Sequence, residues 1–385
     1  VVAGVLIPEY AGVGQFLGTI FLRLLKMLII PLIFSSIVMG VVHTASASSF
    51  GRMGLRTFGW YLTTSLLAIL TGQLLVNLVR PGVGTDLSVA VDPVAMEQGF
   101  RFRDILINLV PENIFGAMAE GQVLPIIFFA LLSGYFMGRM GDGLAEPLVR
   151  VTDSLYQLMM KITGFVIKLA PIGILGLIYK TVADTGVGVF GNLAMYFLTV
   201  LGGLAIHFFL TLPLLIYLFT RKNPYRFMRQ MFAPLITAFS TSSSSATLPL
   251  TIRTIEEDVG VSNRVAGFVL PLGATINMDG TALYECAAVI FIAQAYGMPL
   301  TMTQQVVILA TALLVSIGAA GIPMAGLVMM SVILNAVHLP LEGVALIIAV
   351  DRFLDMFRTA TNVMSDSAGT FVIDHREKLL AAGKG

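Results

Sequence analysis

Five polar side chains form one stripe near the carboxyl end of the chain: Asp351, Asp355, Arg358, Asn362 and Asp366. Their spacings are four, three, four and four residues. On a helix that turns by about 100° per residue, the five fall within an arc of roughly 80°. The surrounding sequence is apolar enough for a bilayer, where each ionisable group costs about 2.5–3.5 kcal/mol on insertion scales. Such groups persist where they face a cavity, a pathway or one another.

The upper part of this stripe carries the complements of an acidic amino acid. The guanidinium fork of Arg358 matches a carboxylate, and Asp355 can meet an ammonium group. Thr359 and Asn362 can hydrogen-bond a second carboxylate. A salt bridge between Asp355 and Arg358 that only fixes packing is the structural alternative. Asp351 has the least obvious task and could orient either charged neighbour.

A second oxygen-rich stretch, NMDG at 277–280, interrupts another apolar segment. Gly280 permits local unwinding, which frees backbone carbonyls. Carbonyl, amide and carboxylate oxygens together suit a hard cation, and Asn362 and Asp366 offer the same chemistry one helical turn apart. A carrier must release its ion, so Na⁺ or H⁺ is favoured over a stored divalent metal. The alternative is a buried hydrogen-bond network that holds no ion.

Composition identifies the environment of these groups. The chain is 57% hydrophobic and 12% charged, with a mean hydropathy of +0.90, whereas a soluble domain is about 25% charged. This predicts an all-α, multi-pass membrane protein in contact with a lipid bilayer. The net charge of +1 gives no support for a nucleic-acid partner. Cys286 is the only cysteine, which excludes intrachain disulfides and Cys-rich metal sites.

Apolar runs indicate where the chain crosses the membrane. They predict the tail of a first helix at 1–7, helices over about 16–42, 58–79, 144–182 and 189–219, and a broken element over about 105–140. The polar loop at 80–103 is expected on the outside. The densest basic cluster, RKNPYRFMR at 221–229, is expected in the cytoplasm, because short cytoplasmic loops are rich in Lys and Arg.

Two apolar segments, about 232–256 and 306–339, are interrupted by small residues, AFSTSSSSATLPLT and SIGAAGIPMAG. Each predicts two half-helices joined at a tip and followed by a polar-cored helix, at about 262–297 and 342–372. One crossing separates the two units, so they should be inverted repeats, which mark a transporter's substrate site. Irregular backbone at bilayer depth must line a cavity or be buried. A flexible serine linker and close packing of small residues are the alternatives.

Six stretches of the chain resemble one known family. They are LRLLKMLIIPLIFSSIV at 22–38, NIFGAMAEGQVLPIIFFA at 113–130, SSSSATLP at 242–249, LPLGATINMDGTALYE at 270–285, SIGAAGIP at 316–323 and DRFLDMFRTATNV at 351–363. Together they resemble the dicarboxylate/amino acid:cation symporter family, the sodium-coupled glutamate and aspartate transporters. The resemblance extends over essentially the whole chain.

The resemblance implies eight transmembrane helices, two re-entrant helical hairpins and a homotrimer in the cell membrane. It implies a static scaffold and trimerisation domain at 1–50 and 101–185, and a mobile transport domain at 51–100 and 186–385. Each subunit would then carry substrate by elevator-type alternating access. No organic cofactor is implied, and Na⁺ is expected at about three sites.

The resemblance also implies roles for individual residues. The substrate residues would be Ser242, Ser244, Thr281, Ile322, Gly326, Asp355, Arg358, Thr359 and Asn362. Here Arg358 resembles the ligand of the side-chain carboxylate and Asp355 that of the amine. One sodium site would use Gly273, Asn277, Asn362 and Asp366. A second, built mainly of carbonyls, would use Thr275, Ser316, Ile317 and Ala319. A third would use Tyr61, Thr64, Ser65, Asn277 and Asp279.

Three positions qualify the resemblance. Ser242 stands where archaeal aspartate transporters carry Arg, as in eukaryotic members. Met356, however, stands where eukaryotic members carry an additional Arg. Glu285 stands where archaeal members have Gln, and in proton-coupled eukaryotic members a Glu here takes the proton. Glu285 is therefore a candidate proton carrier, with simple packing on a helix as the alternative.

The function predicted from these features is secondary active symport of L-aspartate or L-glutamate with Na⁺, with H⁺ as a candidate second ion. A C4-dicarboxylate is the alternative substrate, but it has no amine for Asp355. Neutral amino acids are disfavoured because the relatives that carry them lack the Arg at 358. An anion channel is the alternative of another class. A membrane enzyme is disfavoured, because Ser244 has no evident His base in the sequence and no metal triad is present.

Overall fold

Helices make up every regular element in the described part of the chain. The computed structural model describes residues 11–45, 51–85, 107, 110–140, 143–185, 189–316 and 325–382. The helices are α1 (Ala11–Ala45), α2 (Gly51–Val79), α3 (Ile114–Glu120), α4 (Val123–Met137), α5 (Ala145–Thr185), α6 (Val189–Ile206), α7 (Leu212–Thr220), α8 (Pro224–Gln230), α9 (Phe232–Thr241), α10 (Ser244–Glu257), α11 (Asn263–Ile276), α12 (Asp279–Ala295), α13 (Met302–Ser316), α14 (Ala325–Ala336) and α15 (Val344–Ala382). A π-helical turn, His207–Thr211, joins α6 to α7, and a 3₁₀ turn, Leu341–Gly343, precedes α15.

Three stretches of the described chain are long and apolar enough to cross a membrane: Arg52–Val79, Gly191–Thr220 and Asn263–Ala295. The third is built from α11 and α12, and a window of 18 residues within it is wholly buried inside the protein. Helices α2, α6, α13, α14 and α15 all pack against α12. The helix that carries the NMDG stretch is therefore the centre of the molecule.

The backbone breaks inside this central segment at Asn277 and Met278. Asn277 is extended, with φ −106° and ψ 90°, and α12 begins directly afterwards. A Cβ on Gly280 would lie 2.7 Å from the carbonyl oxygen of Arg358. Only glycine therefore permits the close approach between α12 and α15 at this break.

The serine run forms a capped turn between α9 and α10. Ser242 ends α9 in the left-handed conformation, with φ 51°. Ser243 then caps α10 by accepting a hydrogen bond from the N–H of Ala246 at 3.2 Å. This reversal lets α9 and α10 pack against each other and against α15. The half-helices predicted around the first tip are confirmed, whereas the second tip and the predicted first helix at 1–7 lie outside the described residues.

Several helices extend beyond the boundaries predicted from hydropathy. Helix α2 begins at residue 51 rather than about 58, and α15 continues to residue 382 rather than about 372. The added turns carry charges that stabilise them at the ends of the bundle. Arg56 pairs with Glu377 at 2.5 Å, and Lys378 pairs with Asp374 at 2.7 Å. The prediction counted only apolar residues and therefore ended these helices too early.

Helix α1 belongs to a different layer from α12 and packs mainly against α5 and α4. The crossing of α1 and α5 depends on small residues. A Cβ on Gly14 would lie 2.8 Å from the carbonyl oxygen of Gly176, and one on Gly176 would lie 2.6 Å from that of Gly14. The two backbones therefore touch, as in other close crossings of membrane helices.

Candidate functional site

The upper part of the polar stripe is an ion-paired cluster on α15. Nη2 of Arg358 lies 2.7 Å from Oδ1 of Asp355 and 3.2 Å from Oδ1 of Asp351. The guanidinium also stacks over the ring of Tyr284, 3.9 Å from its centroid. Its Nε and Nη1 atoms have no hydrogen-bond partner in the described part of the chain, although the side chain is 1% exposed. Two buried donors of one cation thus remain for an anionic ligand.

Helices α12 and α14 enclose this guanidinium. A Cβ on Gly326 would lie 2.7 Å from Nη1 of Arg358 and 3.4 Å from Cγ2 of Thr281. Asn362 links the same region to the helix break, because its Oδ1 accepts from the N–H of Gly280 at 2.8 Å and its Nδ2 donates to Oγ1 of Thr281 at 3.1 Å. The structure therefore brings together four of the predicted substrate residues.

The first hairpin lies beside the stripe. Phe239 on α9 contacts Phe357 on α15 edge-on, with 5.0 Å between the ring centroids. Ser242, Ser244 and Thr359 are all buried, and Oγ of Ser242 has no hydrogen-bond partner among the described residues. These three predicted substrate residues are thus on the elements that flank Arg358.

The lower cluster is centred on the carboxylate of Asp279, at the start of α12. Its Oδ1 accepts from Ser65 at 2.6 Å and from Thr64 at 3.2 Å, both on α2. Its Oδ2 accepts from Ser365 on α15 at 2.6 Å and lies 3.1 Å from Nε2 of His207. All five side chains are at most 2% exposed. Among the described residues, no Lys or Arg pairs with this carboxylate.

A second carboxylate, Asp366, lies against the same break. Its Oδ1 accepts from Nδ2 of Asn277 at 2.9 Å, and a Cβ on Gly273 would lie 2.5 Å from that oxygen and 2.8 Å from the hydroxyl of Tyr61. Oδ1 of Asn277 is 3.4 Å from Thr64. Most of the residues predicted for two sodium sites therefore lie in one buried cluster of oxygens, whereas the hydrogen bonds of Asn362 are with Gly280 and Thr281.

Other predicted ion ligands are not brought together. Thr275 is exposed, and its hydroxyl donates to the carbonyl of Leu272 in its own helix at 2.9 Å. Ser316 is buried, and its hydroxyl donates a hydrogen bond to the carbonyl of Leu313 at 2.8 Å. The remaining predicted residues of the second hairpin tip lie outside the described residues: Ile317, Ala319 and Ile322.

Glu285 is wholly buried on α12, one residue after the ring that stacks on Arg358. Neither of its carboxyl oxygens has a hydrogen-bond partner in the part of the chain that the structure describes. A polar group that is buried without a hydrogen-bond partner is costly.

Three side chains of the site were missed by sequence reasoning: His207, Tyr284 and Ser365. They lie on three different elements, His207 in the π-helical turn, Tyr284 on α12 and Ser365 on α15, and therefore share no repeat that could mark a face. The one usable signal was His207, which stands six residues before Pro213 in a predicted membrane span. A polar ring before a helix-breaking proline indicates a local irregularity with a buried partner.

The bundle of apolar helices buries an ion-paired cluster and an oxygen-rich cluster around broken helices. These are features of a membrane transporter. Comparison with known proteins makes this specific. The model of the sodium:dicarboxylate symporter family matches residues 1–376. The chain belongs to this family.

Relatives of this chain carry the name excitatory amino acid transporter. The chain is 39% identical to excitatory amino acid transporter 1 of Ambystoma tigrinum, with 94% of the chain and 77% of the relative covered. It is 40% identical to transporter 3 of Mus musculus, with 94% and 79% covered. It is 38% identical to a transporter of Caenorhabditis elegans, with 96% and 83% covered.

Proposed function

We propose that this protein carries an acidic amino acid, L-aspartate or L-glutamate, across the membrane together with Na⁺. The observation that carries the proposal is the state of Arg358, a buried guanidinium with two unused donors beside amide and hydroxyl groups. The names of the relatives agree with this substrate class. In such a symporter, Na⁺ is a co-transported substrate whose gradient drives the uptake.

In this proposal, Arg358 binds the side-chain carboxylate and Asp355 binds the amine. The α-carboxylate is met by Asn362, Thr359 and hydroxyls of the first hairpin. Asp355 can keep its contact with the guanidinium at 2.7 Å while it binds the ammonium group, because an ionised carboxylate has two oxygens with about four acceptor sites. The further substrate contacts proposed are Ser242, Ser244, Thr281 and the backbone at 322 and 326.

Sodium is proposed to enter the lower network. Two buried carboxylates, Asp279 and Asp366, lie there without a cationic side chain among the described residues, and buried charges are otherwise costly. The hydroxyls of Tyr61, Thr64 and Ser65 supply the neutral oxygens that a hard monovalent ion requires. The carbonyl-rich second site, with Thr275 and Ser316, remains a prediction that depends on the second tip.

Movement of the transport domain against a trimeric scaffold is proposed as the transport step. It is supported by the arrangement of helices, since α1 packs mainly with α4 and α5, while α2, α6, α13, α14 and α15 pack against α12. The two hairpins are proposed to enter the membrane without crossing it. Opening of a hairpin tip would then admit substrate from one side at a time.

Proton co-transport through Glu285 is the finer part of the proposal. A carboxyl group that is buried without donors takes up a proton readily and releases it when solvent or a cation reaches it. Glu285 is next to Tyr284, whose ring stacks on the guanidinium of Arg358. Uptake or release of the proton would therefore be coupled to the binding of substrate at Arg358.

Uptake in proteoliposomes tests the proposal. Labelled L-aspartate should accumulate with an inward Na⁺ gradient and not with choline in place of Na⁺. Unlabelled L-glutamate should compete, whereas succinate should compete poorly because it has no amine. Equal accumulation with and without the sodium gradient would reject sodium symport, and strong competition by succinate would favour a C4-dicarboxylate substrate.

A further inference from the structure

His207 is a buried polar side chain that the proposed function leaves without a task. Its Nε2 lies 3.1 Å from Oδ2 of Asp279, and its Nδ1 has no hydrogen-bond partner in the described part of the chain. An ionised carboxylate only accepts hydrogen bonds, so Nε2 carries the shared hydrogen. Nδ1 then bears a lone pair, because a buried N–H without an acceptor would be the more costly arrangement. His207 is therefore a neutral Nε2–H donor.

This donor completes the set of contacts that fixes the Asp279 carboxylate. Oδ1 is held by two hydroxyls of α2, and Oδ2 by Ser365 and His207. The terminal torsion of an aspartate is soft and roughly two-fold, so its orientation depends on such partners. Without His207, Oδ2 would keep one donor, and the carboxylate could turn within the network.

The local backbone explains why the ring points at Asp279. His207 opens the π-helical turn, whose hydrogen bond runs from the N–H of Leu212 to the carbonyl of His207. Pro213 has no N–H, so the carbonyl of Phe209 lacks its usual helical donor. The hydroxyl of Tyr225 donates to that carbonyl at 3.2 Å instead. Single π-turns often occur at functional sites, where the added residue re-aims a side chain.

We infer that His207 is a positioning residue for sodium. It holds the Asp279 carboxylate in the orientation that binds Na⁺, and it binds neither the ion nor the amino acid. The inference rests on the proposed function, since it takes Asp279 as a sodium ligand. Partners that orient a metal-binding group typically change metal affinity by about 10- to 100-fold when they are removed.

The test compares sodium titrations of purified variants without amino acid, with choline chloride keeping the ionic strength constant. Trp60 is the only tryptophan, and its Nε1 donates to the carbonyl of Ser365 at 3.4 Å, so its emission reports on the lower network. His207→Leu removes the donor, whereas His207→Gln retains an N–H at a similar reach. Thr199→Val is the matched control in α6, because its hydroxyl donates to the carbonyl of Met195 within its own helix.

We expect His207→Leu to raise the sodium midpoint by about 10- to 100-fold, as removal of such a partner does elsewhere. His207→Gln and Thr199→Val should stay within a few-fold of the wild type. If His207→Leu does not fold, His207→Asn replaces it, because the shorter side chain draws the N–H away from Asp279.

Two results would overturn the inference. One is an unchanged sodium midpoint in His207→Leu with a lower melting temperature, which would make His207 a packing residue. The other is a loss in His207→Gln as large as in His207→Leu, which would exclude the donor mechanism. If the wild type itself did not respond to sodium, the proposed function would fail first and the inference would fail with it.

Discussion

The two polar clusters on α15 differ in how their charges are balanced. Around Arg358 the protein supplies both signs, with Asp351 and Asp355 within 3.2 Å of the guanidinium. Around Asp279 and Asp366 it supplies carboxylates, hydroxyls and an amide, and no cationic side chain pairs with either acid in the described residues. Both clusters are buried, so the difference does not arise from access to water.

The difference shows what each cluster needs from its ligand. The upper cluster already pairs its cation with carboxylates but keeps Nε and Nη1 of Arg358 without a hydrogen-bond partner among the described residues, so an amino acid meets a preformed pattern of charges and donors, which favours selectivity. The lower cluster lacks positive charge, so a cation completes it. Asn362 touches both regions through Gly280 and Thr281, which predicts that substrate and ion affinities are coupled.

The largest expected effect is that of Arg358→Cys, which removes the buried guanidinium of the upper cluster, a side chain that is 1% exposed. Truncating one partner of a buried, hydrogen-bonded charge pair in a binding site typically costs about 2–5 kcal/mol, or about 30- to 5,000-fold in affinity. Competition uptake assays should show loss of aspartate and a preference for neutral amino acids. Arg352→Gln is the control, since Arg352 is exposed and lies 3.8 Å from the same Asp355. Retained aspartate affinity in Arg358→Cys would make the arginine structural.

Asp279→Asn should break the lower cluster while leaving the upper one intact. A contact with a charged group is worth about 1.5–3 kcal/mol, or about 10- to 150-fold in sodium affinity. Sodium titration without substrate should show this loss, and aspartate at saturating sodium should bind with little change. If the sodium midpoint were unchanged, the two acids would belong to a hydrogen-bond network without an ion.

Gly326→Ala probes the enclosure of the guanidinium. The added methyl group would lie 2.7 Å from Nη1 of Arg358, and such overpacking costs about 1–3 kcal/mol. Aspartate affinity should fall by roughly tenfold or more, whereas sodium binding without substrate should not change. Gly267→Ala is the matched control, because nothing lies within 4 Å of its Cβ position. Equal aspartate affinity in both variants would place the guanidinium away from the substrate.

Glu285→Gln changes the response to pH rather than the affinity. If Glu285 carries a proton inward with the substrate, acidifying the outside should accelerate wild-type uptake, and the amide variant should show a flat profile. Initial rates across a pH series measure this directly. A variant that kept the wild-type pH profile would limit Glu285 to packing.

The smallest effect is expected at Asp374, the last acid of α15. Burial opposes its charge, but hydrogen bonds from Lys378 and Ser262 lower its pKa below the usual value. Because the folded pKa is depressed, its stabilisation is present above the unfolded pKa near 4 and is lost as pH falls through the folded one. With an exposed lysine partner, Asp374→Asn should cost at most about 1 kcal/mol of stability at neutral pH. Thermal unfolding at pH 7 tests this, and a collapse of the fold would contradict it.

Sequence alone identified the elements that carry the site. The Ser242 turn and the break at Asn277 were predicted because small and polar residues interrupt apolar runs that would otherwise be continuous helices. The stripe on α15 was predicted from helical periodicity. Helix ends were less accurate, because the pairs at Arg56 and Asp374 stabilise helical turns that hydropathy alone does not indicate.

The contacts between helices could not be predicted in the same way. His207 meets Asp279, and Ser365 meets Asp279 and Asn277, only because the π-helical turn after α6, the break before α12 and helix α15 lie at one level. The distance between crossing helices depends on small residues such as Gly280, because the absence of a side chain there lets α15 come close to α12. Likewise, Arg358 pairs with both Asp351 and Asp355 because of its side-chain rotamer. The spacing of residues in the sequence does not determine that rotamer.

Sodium binding in the absence of amino acid tests most directly whether the lower cluster needs a cation. Purified wild-type protein should show a saturable change in Trp60 emission and a higher melting temperature with NaCl, and neither with choline chloride, because a ligand stabilises the state that binds it. Addition of L-aspartate should then lower the sodium midpoint. Identical emission and melting in the two salts would contradict a sodium site at Asp279 and Asp366.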